Sequence, residues 1–461
     1  MQNLSRPCIG RYNRRAGSYR PAGPGRLMRI PGAIQAGQIL HQPAEKPENT
    51  IRPIWWEVPL SSIVQPTESQ LDSLVEPYLV RQQLGLGFAI GYASPQFTPP
   101  GQLYFRGNIQ NQFGGRLRLD GDALFEIASI SKTFTATLYA LLIRSVSALK
   151  TVGDYIAPNG SLHISPTLAD IPLDALMNYT SGLPEDDENG SVDTPPYWPL
   201  PYSLRAMLSY LDACPPVITK TGCQYTYSNL GFALMAAILA GSPPTLAAFR
   251  NLVESKIFGP LGMKSRFFSE VSLAHLPLGY EYDYQQSPVY EAIAPGFEFL
   301  PAYDGASGVV ASANDMLQWL LFNMGINQNP ELTPLLPVLQ QPSTKVVYGN
   351  YKLGLSWFIF EPTSGSNVPA SISKEGALDG FDSCIAFLPS SGTPGVDPSQ
   401  AGVFVLVNAD QITGDQQSNG PFLPSVLAND ILLIMQGNYP PADKSAYPRL
   451  FRPRRRRITT R

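Results

Sequence analysis

Strand-like segments stand near both ends of this chain, and a long helix-rich stretch lies between them. Residues 86–92 are short, apolar and Gly-containing, and residues 102–106 follow a Pro-Pro-Gly turn, so the two read as a β-hairpin. From 131 to 149 the period changes: Phe134, Leu138, Leu141 and Leu142 recur at three and four residues, the mark of a helix. Helices and loops then alternate to about residue 340. The best of them are 230–239 and 314–322, the second opened by an Asn-Asp capping signal at Asn314 and Asp315. Strands return at 352–360, 371–376, 381–388 and 403–408, with a Pro-Ser-Gly-rich surface loop at 389–402. A sheet assembled from both ends of the chain, with a helical insertion, explains this order better than separate domains do. No internal repeat is present.

Charge separates the body from the termini. No acidic residue precedes Glu45, whereas Arg6, Arg11, Arg14, Arg15, Arg20, Arg26 and Arg29 do; seven more arginines fall in the last 13 residues. The body therefore carries 19 of the 33 Lys+Arg against all 36 Asp+Glu, a formal charge of −17. So acidic a body excludes nucleic acid as the main partner. No apolar run approaches the ~18 residues of a membrane span, so the body reads as soluble, without a transmembrane segment. The front of the chain is Arg-rich and acid-free like an organelle transit peptide. However, Pro21, Pro24 and Pro31 break an amphipathic helix there, and the apolar core of a secretory signal is missing. The compartment stays open, cytoplasmic or exported by a signal of another kind. The expected division is a basic Pro/Gly-rich tail at 1–65, one folded domain at 66–437 with its insertion at about 120–345, and a basic tail at 438–461. Those tails are disordered segments, or else contacts to an anionic surface.

Nothing in the sequence calls for a metal or a cofactor. The four cysteines lack metal-ligand spacing, and Cys214 and Cys223 read either as a local disulfide or as two free thiols. Three histidines do not supply a multi-histidine site, and His163 and His275 stand in loop-like contexts unsuited to a Ser-His-Asp triad. Gly-x-Ser-x-Gly, P-loop and dinucleotide glycine patterns are all missing. A nucleophilic enzyme built from this chain needs a base other than histidine.

Lysine can take that place. In Phe125-Glu126-Ile127-Ala128-Ser129-Ile130-Ser131-Lys132 a serine stands at the mouth of the amphipathic helix, with the lysine three residues on and so on the same face. A desolvated lysine loses pKa and can accept the serine proton, and the helix N-terminus favours a developing oxyanion. The spacing alone is weak, since Ser-x-x-Lys recurs at Ser147–Lys150 and Ser371–Lys374.

What distinguishes Ser129 is its company. Residues 125–135 resemble the first motif of the serine β-lactamase and penicillin-binding-protein superfamily (class C β-lactamases, D-alanyl carboxypeptidases and family VIII esterases). Tyr227-Ser228-Asn229 resembles its Tyr-x-Asn motif, and Lys374-Glu375-Gly376 occupies the place of its Lys-Thr-Gly motif. Tyr179-Thr180-Ser181-Gly182-Leu183-Pro184, Pro260-Leu261-Gly262-Met263 and the stretch 307–315 follow as lesser landmarks, in order. The resemblance covers roughly 70–435. It implies an α/β (α+β) fold, an antiparallel sheet flanked by helices with an inserted helical subdomain. It also implies Ser129 as nucleophile, Lys132 and Tyr227 sharing its proton, Asn229 orienting lysine and substrate, and Lys374 keeping the pocket positive. The oxyanion hole would be the backbone N–H groups of Ser129 and Ala377, with Glu375 and Gly376 beside the substrate.

Two positions depart from the family pattern. The usual His of the Thr-Ser-Gly-Leu-Pro landmark is Tyr179 here. The usual Thr or Ser of the third motif is Glu375, whose carboxylate would repel an acidic substrate unless it turned away or paired with Lys374. Taken as facing the substrate, Glu375 favours a neutral or cationic ester, lactone or amide. The reading is a serine hydrolase forming an acyl-enzyme; the alternatives are an acyltransferase or transpeptidase on the same fold, or a retired scaffold protein.

Overall fold

The computed structural model describes residues 62–79, 85–145, 147, 150–156, 165–185, 207, 225–241, 244–282, 290–293, 295, 301–343, 347–348, 351–362, 368–392, 394–410 and 422–441. Most of both basic tails, the cysteines 8, 214 and 223, and the histidines 41 and 163 lie outside these residues.

The first elements are α1 (Glu68–Leu79), β1 (Gly87–Ala93), β2 (Gly101–Gly107), β3 (Ile109–Gln110), β4 (Arg116–Leu117) and β5 (Leu124–Glu126). The helical region follows with α2 (Ser131–Tyr139), α3 (Val152–Ile156), α4 (Pro166–Ala169), α5 (Leu173–Met177), α6 (Asn229–Leu239) and α7 (Leu246–Val253). After it come β6 (Arg266–Phe267), β7 (Gly279–Tyr282), β8 (Tyr290–Ile293), α8 (Asp304–Ser307), β9 (Val309–Ser312), α9 (Ala313–Asn323) and α10 (Leu336–Leu339). The chain closes with β10 (Val347–Tyr348), β11 (Tyr351–Leu353), β12 (Phe358–Phe360), β13 (Ser371–Leu378), β14 (Phe381–Phe387), β15 (Gly402–Val407) and α11 (Leu423–Met435).

Eight strands form the main sheet in the order β10-β11-β12-β13-β14-β15-β1-β2, with every neighbouring pair antiparallel. The expected hairpin is β1–β2, and β1 is also hydrogen-bonded to β15, so the first and last strands of the chain meet inside one sheet. Every residue of β1 and of β15 is buried, which is why both read as continuous apolar runs rather than alternating ones. Gly91 faces Phe404 across that join, and a Cβ on it would overlap the Phe404 ring. Of the three smaller sheets, β3–β4 precedes the inserted region, while β5–β9–β6 and β7–β8 lie within it, so that region is mainly but not wholly helical.

Strand alternation divides the core. Ala89, Ile372, Ile385, Phe387, Phe404 and Leu406 pack with α2, α6 and α9 in the larger cluster. Phe88, Ile90, Cys384, Val403, Val405 and Val407 pack on the other side with α1 and α11. Among the described residues no helix is long and apolar enough to cross a membrane.

Some boundaries differ from expectation. The helix expected over 131–149 is α-helical only to Tyr139 and runs on as a π turn, Ala140–Arg144. Both the N–H and the hydroxyl of Ser145 reach back five residues to the Ala140 carbonyl there, and this ends the α ladder. The cap of α9 is Ser312, not Asn314: its hydroxyl accepts from Asp315 N while the Asp315 carboxylate accepts from Ser312 N. The run 352–360 splits into β11 and β12 about a turn whose Ser356 has φ 68°.

Candidate active site

β5 ends at Glu126, and the chain turns sharply into α2. Ala128 takes φ 50°, in the left-handed region, and a single 3-10 turn, Ala128–Ile130, carries Ser129 to the mouth of α2. Three contacts hold that turn. The N–H of Ile127 donates to Val309 O of β9 at 3.2 Å, Ser131 Oγ accepts from Val309 N at 3.1 Å, and Ser383 Oγ of β14 donates to Ile127 O at 3.0 Å. A non-glycine residue in this conformation persists only where its surroundings fix it, and here they do.

Lys132, one helical turn on, is fully buried. Its Nζ donates to Ser129 Oγ at 2.8 Å, to Asn229 Oδ1 at 2.6 Å and to the Ala306 carbonyl of α8 at 3.0 Å. Three acceptors offset the cost of taking an ammonium out of water. Tyr227 OH donates to Ser129 Oγ at 2.7 Å. Tyr227 lies just before α6, whose first residue is Asn229 and whose cap is Ser228: Ser228 Oγ accepts from Gly231 N at 2.9 Å and donates to Pro184 O at 2.6 Å. The Glu185 carbonyl accepts from the N–H groups of Asn229 and Leu230 at 2.7 and 3.0 Å, so the loop 179–185 seats the start of α6 beside α2.

Lys374 on β13 is buried, with Nζ 5.4 Å from the centre of the Tyr227 ring and 5.6 Å from that of Phe358. Lys132 Nζ is 5.0 Å from the same Tyr227 centre, so two cations flank one phenol ring. Burial pulls the Lys374 ammonium down to about 8, against the opposing pull of the Glu375 carboxylate. Its Nζ donates to the Glu375 backbone carbonyl at 2.6 Å, and it is not the solvent-facing strand lysine of an ordinary sheet edge.

Glu375 does not stand where the motif alone would put it. It alternates with Lys374 along β13, pairs across the strands with Cys384, and its carboxylate accepts a short hydrogen bond from Ser425 of α11. The side chain thus lies on the α11 face of the sheet, and its expected place beside the substrate is corrected: strand parity turns it away. Gly376 is tight against the nucleophile turn, since a Cβ there would overlap Ile127 O and Ser383 Oγ and come within 3.2 Å of Ala128 Cβ. Ala377 follows on the same strand, and this close approach sets β13 along the Ala128–Ser129 backbone.

Three contributors escaped the sequence reading. Ala306 acts through its carbonyl, which no side-chain pattern reveals. Ser383 is one of many strand serines. Tyr179 drew notice only as a departure from the usual histidine; its ring is stacked on that of Tyr227 at 5.2 Å and 12°.

Solved structures of similar shape show the β-lactamase/transpeptidase fold. They include a class C β-lactamase from Rhodobacter sphaeroides (TM-score 0.56, 21% identity, covering 79% of this chain and 98% of that one). The octameric penicillin-binding protein homologue from Pyrococcus abyssi matches at TM-score 0.61 and 16% identity, over 81% of this chain and 78% of that one. The chain belongs to the Beta-lactamase family, whose model matches residues 98–427. It is thus a member of the serine β-lactamase and penicillin-binding-protein-like superfamily, and its family relatives are hydrolases. It is 28% identical to the D-alanyl-D-alanine-carboxypeptidase/endopeptidase AmpH of Escherichia coli strain K12 over 360 residues, 74% of this chain and 83% of that one. It is 27% identical to a β-lactamase of Pseudomonas fluorescens over 396 residues, 81% of this chain and 94% of that one.

Proposed function

We propose that this protein is a serine hydrolase that forms an acyl-enzyme at Ser129 and cleaves an ester, lactone or amide. The observation that carries the reading is the convergence on one hydroxyl: Lys132 Nζ at 2.8 Å and Tyr227 OH at 2.7 Å from Ser129 Oγ. Lys132 Nζ faces three acceptors, the arrangement of an ammonium, so once Tyr227 has given up its own phenol proton its oxygen is the one left to receive that of Ser129. A phenolate at that point is favoured by the cations of Lys132 and Lys374 beside its ring. As Ser129 Oγ bonds to the acyl carbon, Tyr227 takes the proton and then returns it to the leaving alcohol or amine. The backbone N–H groups of Ser129 and Ala377 receive the oxyanion. Tyr227, again a phenolate, then takes a proton from water as the water oxygen bonds to the acyl carbon, and gives that proton to Ser129 Oγ as the acyl–serine bond breaks.

Glu375 gives no ground for rejecting an acidic substrate, because its carboxylate is engaged by Ser425 on the α11 face. The substrate panel therefore includes a penicillin and a peptide ending in D-alanyl-D-alanine, the chemistry named for its relatives, beside short-chain activated esters. The test is intact-protein mass after incubation with a fluorophosphonate, a penicillin and an activated ester. A covalent adduct on the wild type and none on Ser129→Ala is expected, with ester turnover reduced at least ~10³-fold in the variant. Folded protein that takes no adduct from any probe would sink the hydrolase reading.

A further inference from the structure

Tyr179 is fully buried and meets both Tyr227 and the residue before it. Its ring is stacked on Tyr227 at 5.2 Å and 12°, and on Phe358 at 5.3 Å and 23°. Its backbone carbonyl accepts from Thr226 N at 2.8 Å, immediately before Tyr227. Its hydroxyl donates to the Ser356 carbonyl at 3.0 Å, and Ser356 N in turn donates to Met177 O at 2.7 Å. Both Tyr179 (φ 60°) and Ser356 (φ 68°) sit in the left-handed region, unfavourable for residues with a side chain. Two such residues hydrogen-bonded to each other, beneath a reactive tyrosine, are a place where the fold spends stability on geometry.

We propose that Tyr179 is the positioning residue of Tyr227, the flat surface against which the phenol is set so that its oxygen stays on Ser129. This rests on the reading of Ser129 and Tyr227 given above. Tyr227 stands in an irregular segment, 225–228, where neither helix nor strand geometry aims the side chain. Its aim must come from packing. A near-parallel ring contact restricts the swing of the phenol about its side-chain torsions, and the main-chain bond to Thr226 N fixes the point from which it swings. The Tyr179 ring also excludes water from the side of the phenol it covers, which strengthens the pull of Lys132 and Lys374 on its oxygen.

The test is a double-mutant cycle on the full chain, using hydrolysis of an activated p-nitrophenyl ester. Rates are expressed per site titrated with a fluorophosphonate, so that a loss of folded protein does not register as a loss of rate. Tyr179→Leu is expected to lower kcat ~10-fold or more, leave KM within ~2-fold, and displace a limb of the pH–rate profile. In a Tyr227→Phe background the same substitution should change kcat by less than ~2-fold, because a residue that acts through the phenol has nothing left to aim. If Tyr179→Leu does not fold, Tyr179→His completes the same cycle, its smaller ring leaving part of the Tyr227 face uncovered. Equal losses in both backgrounds, or a lowered melting temperature with kcat per site unchanged, overturn the proposal and leave Tyr179 a packing residue. Should Tyr227→Phe itself run at the wild-type rate, the assignment of Tyr227 fails and this inference falls with it. A slow Tyr227→Phe beside an unaltered Tyr179→Leu sinks the positioning role alone.

Discussion

Lys374 is a buried cation whose charge is within reach of ordinary buffers. Burial lowers its pKa to about 8, so raising the pH through that value removes the proton and with it one of the two cations flanking Tyr227. If the ammonium is the active form, kcat/KM for a neutral ester falls as pH rises through about 8. Lys374→Arg keeps its charge at every accessible pH, so its profile should lose that alkaline limb. Its absolute rate should be lower, because a planar guanidinium does not fit an ammonium site. Profiles of both proteins between pH 6 and 10 decide this, and a limb that survives in the arginine variant assigns the titration to another group. Gly376 makes a second prediction at this scale. Gly376→Ala must push β13 away from the Ile127 carbonyl and Ser383 Oγ, and so away from the backbone of Ser129. The expected cost is ~1–3 kcal/mol of stability by urea unfolding, with a ~100-fold drop in ester turnover, since displacing a positioning backbone by ~1 Å costs that much.

Among the elements, α8 is the short one on which α2 depends. Its Gly305 and Ala306 carbonyls accept from Thr135 Oγ1 at 2.6 Å and Lys132 Nζ at 3.0 Å, and it is held to α7 by Asp304, whose carboxylate meets Arg250 at 2.6 Å. Despite that partner, burial raises the Asp304 carboxyl to about 7, with Glu270 adding to the rise. The folded chain therefore keeps a proton between about pH 4 and 7 that the unfolded chain has lost. This stabilisation is complete below the ordinary carboxyl pKa of 3.8 and is lost as pH rises through about 7. Three pKa units correspond to on the order of 4 kcal/mol. Asp304→Asn is neutral throughout, so the wild type should lose stability relative to it as pH climbs from 4 to 7; parallel melting curves would falsify the assignment. The elements also show what was legible in the sequence. The start of α2 and its Ser129–Lys132 spacing follow from local period, but its end is set by Ser145 and α8 works through backbone carbonyls. The alternation of Lys374 and Glu375 was legible too. Which of them faced the pocket was not, because that depends on the helix covering each side of the sheet.

That covering helix is α11, and it sets the limits of the folded unit. All of its residues but Ser425 are buried, and the sequence reading passed over it because apolar residues run round its whole circumference and leave no amphipathic stripe. It covers β14 and β15, the strands that join the C-terminal half of the sheet to β1. Leu423, Val426, Leu427, Ile431, Leu432 and Met435 are each buried to within 2% of full. At ~1.5–3 kcal/mol for each such side chain, the helix contributes on the order of 10 kcal/mol, comparable to the whole stability of a typical domain. Its loss cannot be local, because β15 would then expose Val403, Val405 and Val407 on an interior strand of the eight-stranded sheet, between β14 and β1. A chain ending at Asp410 is expected to lose cooperative thermal unfolding, bind a hydrophobic dye and show no Ser129 labelling, although every residue of the proposed site is still present. A chain ending at Pro441 lacks the seven arginines of the C-terminal tail and keeps α11. It should melt within a few degrees of the full chain, on the order of the shift that 1 kcal/mol produces, and label at the same rate. Cooperative melting of the shorter chain would show instead that the sheet and the helical region close on each other without α11, and that the energetic boundary of the fold lies at β15.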